Sequence, residues 1–286
     1  MRYDKTENTG REEFSLIFLY LWLLALAATG IYAALAASLS VWSLLGVLLL
    51  SFLAANLLFA LTFTVGSFLL PKLAPGEGIE KQHPFARWCC ASAARWLCGY
   101  AGMRVHLSGL EQMPEGPFLF VCNHRSMFDP ALVMGYLAKY NISFVSKPSN
   151  LALPVAGITG RRAGFLALDR ENNREALKTI LMAADYLKRG VCNIGIYPEG
   201  TRSRTGELLP FHAGSFKIAQ KAGVPVVVAC SRGTEKVRKC FFFWKTPVYL
   251  DILEVIDADR AKTMSTNDLA EEAKGLIQAR LDETEK

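Results

Sequence analysis

Residues 14 to 70 run for 57 positions without an Asp, Glu, Lys, Arg or His, and that uncharged run limits the fold more than any other feature of the chain. A membrane crossing needs roughly 20 apolar residues, so the run has length for two spans and a tight turn and is too long for one. The turn is expected near Ser38, Leu39 and Ser40. Arg2, Lys5 and Arg11 precede the run and Lys72, Lys81, Arg87 and Arg95 follow it, which assigns both flanks to the cytoplasmic side. A hairpin that enters one leaflet fits the same residues. A cleaved signal peptide ending at Ala34-Leu35-Ala36 fits less well, because its apolar run is too long and a second run follows.

The chain therefore divides into an anchor (residues 1–70), a Pro-, Gly- and charge-rich linker (71–83) and a body (84–286). Three basic and four acidic side chains lie in the first 70 residues, so the net +6 of the whole chain becomes +7 on the rest. A basic body on an apolar anchor suits anionic headgroups and phosphorylated substrates. Nucleic acid is a poorer fit as the partner, since no recognisable nucleic-acid motif accompanies the charge. The seven cysteines are odd in number and lack paired metal-ligand spacing, and they read as reduced, mostly buried thiols.

Residues 84–102 mix Phe85, Trp88, Trp96, Leu97 and Tyr100 with Arg87 and Arg95. That pattern fits a helix lying in the membrane interface or a core helix packed on the body. Beyond Gly102, short apolar runs at 104–108, 118–122, 142–146, 164–168, 192–197, 224–230 and 248–255 read as strands. Residues 130–139, 174–188 and 214–222 read as helices between them, and 267–281 as a final amphipathic one. Alternation of this kind predicts an α/β body with a mainly parallel sheet of about seven strands flanked by helices.

Two strand ends carry polar groups suited to chemistry. The first delivers Asn123 and His124, with Asp129 five residues on, ahead of a helix expected to start at Pro130. A His whose far nitrogen is held by a carboxylate is fixed in the tautomer that can take a proton from a hydroxyl. A cap on the helix by Asp129 and a loop hydrogen bond for His124 would explain the same two residues without catalysis. The second strand end places Glu199, Gly200, Thr201 and Arg202 side by side with Arg204 close behind, pairing a carboxylate and a phosphate-matching guanidinium with a backbone that a ligand can approach.

Asn123-His124-(four residues)-Asp129, followed by Pro198-Glu199-Gly200-Thr201-Arg202, resembles the glycerolipid acyltransferase family that includes lysophosphatidic acid acyltransferases. Lys147, Pro154, Gly157 and the stretch from Gly164 through Asp169 to Arg170 resemble the family's second motif, and Val224-Pro225-Val226-Val227 its fourth. The resemblance implies that His124 deprotonates the sn-2 hydroxyl of a 1-acyl-glycerol-3-phosphate, with Asp129 orienting it. The alkoxide then attacks the thioester of acyl-CoA or acyl-carrier protein, without a covalent acyl-enzyme, a cofactor or a metal. It also implies that Glu199, Gly200, Thr201 and Arg202 line the acceptor site and that Arg170, with Lys147, meets the acceptor phosphate. Two positions depart from the pattern: His212 stands where the family often has Lys, and Val228 where a second Pro is usual.

Other readings keep these residues and change the activity. The acceptor could be another lysophospholipid or an amine-bearing lipid. His124 could activate water on the thioester, or the body could bind membrane lipids without turnover. A last cluster, Arg232, Lys236, Arg238 and Lys239 running into Phe241, Phe242, Phe243, Trp244 and Lys245, suits a membrane interface or the phosphates of CoA. A hairpin with core aromatics and solvated charges fits it somewhat better.

Overall fold

The structure is a computed structural model and describes residues 23–36, 40–74, 77–203, 205–237 and 245–285. Ser38 and Leu39 of the expected turn, the basic N-terminal residues, Arg204, Cys240, and the stretch from Arg238 to Trp244 lie outside the described residues. The chain separates into two compact units, Met1–Pro71 and Lys72–Lys286.

In the first unit, α1 (Leu23–Leu35) is a short apolar helix and α2 (Val41–Leu69) is long and apolar enough to cross a membrane. Twenty-nine residues at about 1.5 Å each give roughly 43 Å, against a hydrocarbon core of about 30 Å. Ser40 starts α2 with a reciprocal cap, its hydroxyl accepting from the Ser43 N–H while the Ser43 hydroxyl accepts from its own. Three polar side chains inside the helix, Asn56, Thr62 and Ser67, donate back to the carbonyls of Phe52, Leu58 and Phe63 at 2.8, 2.8 and 2.6 Å. Each thereby finds a partner on its own helix, as an apolar surrounding requires.

The second unit is an α/β body around a seven-stranded sheet of order β1-β7-β6-β2-β5-β3-β4. The strands are β1 (Met103–Ser108), β2 (Leu119–Cys122), β3 (Ile142–Ser146), β4 (Leu166–Ala167), β5 (Asn193–Ile196), β6 (Val226–Arg232) and β7 (Thr246–Ile256). Every pairing is parallel except β6 with β7. The expected mainly parallel sheet of about seven strands is what the chain forms. The expected 164–168 strand shrinks to two residues at the sheet edge, because Gly164 turns through φ +90° just before it.

The helices of this unit are α3 (Pro84–Tyr100), α4 (Asp129–Tyr136), α5 (Pro148–Leu151), α6 (Pro154–Arg162), α7 (Asn173–Lys188), α8 (Lys217–Ala222), α9 (Ala258–Thr263) and α10 (Thr266–Glu285). Alternate strand residues face opposite sides, which builds two cores. Leu119, Val121, Ile194, Ile196, Val226 and Val228 face α7, α8 and α10, whereas Phe118, Phe120, Cys122, Val227 and Ala229 face α3 and α4. Truncating a wholly buried Phe such as Phe120 to Ala costs about 3–5 kcal/mol.

Of the two readings of residues 84–102, the packed core helix is the one observed. Ala86, Cys89, Ala94 and Cys98 are buried. Arg95 is 5% exposed, donates to the Gly135 carbonyl at 3.2 Å and lies 4.1 Å above the Tyr136 ring of α4. Trp88 stays outward at 47% exposure.

Candidate active site

The central strands β2, β5 and β6 are neighbours and parallel, so their C-terminal ends open on the same edge of the sheet. Past Cys122 the ladder continues through a side chain: the Asn123 amide donates to the Ser231 carbonyl at 2.9 Å and accepts the Ser231 N–H at 2.7 Å. Asn123 is fully buried, and this two-way bond holds the end of β2 against β6.

His124 follows. Its Nδ1 lies 2.9 Å from Asp129 Oδ2, which leaves Nε2 to meet a substrate. The imidazole stacks on Tyr197 with centroids 4.4 Å apart, and Tyr197 in turn stacks on Phe144 at 5.3 Å. This column fixes the plane of the ring, and the side chain keeps 18% of its surface open.

Asp129 does not cap a helix starting at Pro130, as the sequence suggested. It is itself the first residue of α4, and its side chain turns back into the preceding loop. Oδ2 accepts the N–H groups of Arg125 and Ser126, each at 2.7 Å, in addition to contacting the imidazole. Oδ1 accepts the hydroxyls of Ser231 at 3.0 Å and Thr234 at 2.6 Å. A carboxylate with no exposed surface is tolerated because donors surround it.

Glu199 is 4% exposed, and each of its carboxylate oxygens is taken by a backbone donor. Oε1 accepts the backbone N–H of His124 at 2.6 Å, and Oε2 that of Leu209 at 3.0 Å. Burial pushes its carboxyl above the ordinary value, and the two N–H donors offset part of that rise. The turn is tied down further where Ser203 N–H donates to the His124 carbonyl at 2.9 Å and Arg125 donates to the Gly206 carbonyl at 3.0 Å.

Gly200 adopts φ +75°, and a Cβ there would lie 2.3 Å from Arg170 Nη1. A side chain at this position would displace the guanidinium, so the absence of one lets Arg170 lie against the turn. Arg170 and His212 line a cavity of about 310 Å³ that Tyr197 and Thr179 also border and that Ile196 and Ile218 make apolar within. Arg170 has no hydrogen-bond or ion-pair partner among the described residues. Thr201, Arg202 and Lys147 are exposed and stand outside the cavity walls. The structure thus brings His124, Asp129 and Glu199 together, sets Gly200 and Arg170 beside them, and leaves Lys147 at the start of α5.

Ser231 and Thr234 went unrecognised in the sequence. The one available signal was a hydroxyl residue directly after an apolar strand. Among the described residues no buried thiol is activated as a nucleophile: burial pushes Cys98, Cys192 and Cys230 up to about 12 and Cys122 well above its usual value.

The family model described as Acyltransferase matches residues 104–232. A 1-acyl-sn-glycerol-3-phosphate acyltransferase of Haemophilus influenzae is 31% identical over 196 residues, covering 66% of this chain and 80% of that protein. A putative enzyme of the same description from Caenorhabditis elegans is 27% identical over 71% of this chain and 69% of its own length. A chloroplastic one from Brassica napus is 34% identical over 48% of this chain, which spans only 40% of that relative. The crystal structure of a 1-acyl-sn-glycerophosphate (LPA) acyltransferase from Thermotoga maritima superposes with a TM-score of 0.55 at 21% identity, over 97% of this chain and 98% of that one. That likeness shows a shared fold.

Proposed function

Because this chain belongs to the 1-acyl-sn-glycerol-3-phosphate acyltransferase family, we propose that it moves a fatty acyl group from an acyl thioester to the sn-2 hydroxyl of 1-acyl-glycerol-3-phosphate, giving phosphatidic acid. The observation that carries this reading is the His124–Asp129 pair at 2.9 Å, held on a loop that Glu199 clamps from the neighbouring strand.

His124 Nε2 takes the hydroxyl proton as the oxygen attacks the thioester carbonyl, and Asp129 stabilises the imidazolium that forms. The new C–O bond is made, the C–S bond breaks, and the imidazolium returns its proton to the departing sulfur. General-base help of this kind contributes about 10²- to 10⁴-fold. Glu199 acts by positioning His124. Arg170, in the cavity wall and without a competing carboxylate among the described residues, meets the acceptor phosphate, while Arg202, Thr201 and Lys147 contribute exposed polar groups to its approach. The donor is acyl-CoA or acyl-carrier protein as co-substrate, with no cofactor or metal. Bilayer lipids surround α2, and the basic residues Lys72, Lys81 and Arg87 that follow it favour a body on the cytoplasmic face.

The test uses detergent-solubilised protein with labelled acyl-CoA, with and without lysophosphatidic acid, beside a His124→Ala variant. Acceptor-dependent transfer that the variant loses is the expected result. Undiminished transfer by His124→Ala removes the general-base role, and CoA release that needs no acceptor turns the reading to hydrolysis.

A further inference from the structure

The end of β6 sits under the catalytic pair for an identifiable reason. The β6–β7 ladder changes register between Val228 and Ala229, where the acyltransferase pattern has its second Pro and this chain has Val228. An irregularity of this kind bends and re-aims a strand. Two residues on, Ser231 meets Asn123 through its backbone and Asp129 through its hydroxyl. The chain then turns at Gly233, φ +84°, where a Cβ would lie 2.4 Å from the Pro247 carbonyl oxygen. Only a residue without a side chain passes there, and the turn delivers Thr234 Oγ1 to the same carboxylate oxygen at 2.6 Å. Both hydroxyls are fully buried residues, and both converge on Oδ1, the oxygen that does not touch the imidazole.

We propose that Ser231 and Thr234 are positioning residues for acyl transfer: their two hydroxyls hold Oδ1 of Asp129 so that Oδ2 stays directed at His124 Nδ1. This rests on the reading of His124 as general base. Without them, Asp129 keeps its two backbone N–H donors on Oδ2 but gains freedom to rotate about that oxygen, and the imidazole loses its fixed orientation. A defect in orientation lowers the chemical step and leaves substrate affinity alone. That separates it from a loosened pocket.

The whole 286-residue chain in detergent is compared as wild type, Thr234→Val, Ser231→Ala, the double variant and Thr234→Ser. Thr234→Val should lower kcat on the order of tenfold, with both KM values within about twofold, and Thr234→Ser should restore it. A second readout needs no turnover: the low-field imidazole proton of His124, identified by its loss in His124→Ala, should move in Thr234→Val and return in Thr234→Ser. If the wild type transfers no acyl group, the functional reading fails while this resonance still tests the brace. An unmoved resonance with kcat retained in the double variant overturns the proposal, as does a KM effect in place of a kcat effect. Should Thr234→Val not fold, Ser231→Ala carries the same comparisons, with the same outcomes deciding.

Discussion

Glu199 Oε1 accepts the backbone N–H of His124 at 2.6 Å, a bond that joins the ends of adjacent strands β5 and β2 across 75 residues of sequence. Its other oxygen holds Leu209, so one buried side chain fastens the turn both to the reacting histidine and to its own return. Gln in its place can accept one of these N–H groups but turns its NH₂ toward the other. Glu199→Gln should therefore destabilise by about 1–3 kcal/mol and lower kcat more than it raises either KM. Thermal melts alongside steady-state kinetics check both, and unchanged kcat would return Glu199 to a purely structural part.

Asp129→Asn keeps shape but places an NH₂ among donors that the carboxylate now satisfies. A comparable exchange in the Ser-His-Asp triad costs about 10⁴ in kcat by favouring the wrong tautomer. A loss of at least about 10³-fold, with KM for the thioester little changed, is expected here. A loss below tenfold would mean that the imidazole orients itself.

Arg170 should matter to one substrate only. Arg170→Ala is expected to raise the acceptor KM about tenfold, the scale of one charge-assisted hydrogen bond, and to leave the thioester KM within twofold. Gly200→Ala should push in the same direction, since its methyl group would lie 2.3 Å from Arg170 Nη1 at a backbone angle that costs about 1 kcal/mol without glycine. Equal effects on both substrates would take the phosphate contact away from Arg170.

One strand over from Ser231, where β7 pairs with β6, Asp251 gathers Ser108 at 2.6 Å, Arg232 at 2.7 Å and Arg280 at 3.1 Å. Burial works against its charge, yet these three partners prevail and hold its carboxyl below the ordinary range. A carboxyl depressed in the folded state contributes stability that is complete above its unfolded value, near pH 4, and fades as pH falls through the folded value. Asp251→Asn should cost about 3 kcal/mol at pH 7 and flatten the loss of stability below about pH 4. An acid-unfolding curve parallel to that of the wild type would contradict this.

The strands were legible because their apolar runs are short and sharply bounded, and the two polar strand ends because each follows such a run. Helices α5 and α6 were not, since residues 148–162 combine Pro, Gly and Arg with little apolar periodicity. The partners of Asp129 were hidden for a different reason. Ser231 and Thr234 lie 102 and 105 residues away, and only the placement of β6 beside β2, which no local pattern encodes, makes them neighbours. Glu199 was visible as a residue but not as a clamp, because its partners are backbone N–H groups of His124 and Leu209.

The thiols of Cys122 on β2 and Cys230 on β6 are fully enclosed, and Cys122 pairs in register with Ala229, the residue before Cys230. Alkylating reagents can reach them only when the centre of the sheet parts, so their labelling rate is a clock for that opening. A bound substrate that draws the ends of β2, β5 and β6 together would slow the clock, and the alkylation of these two native thiols would then report ligand occupancy without an engineered cysteine.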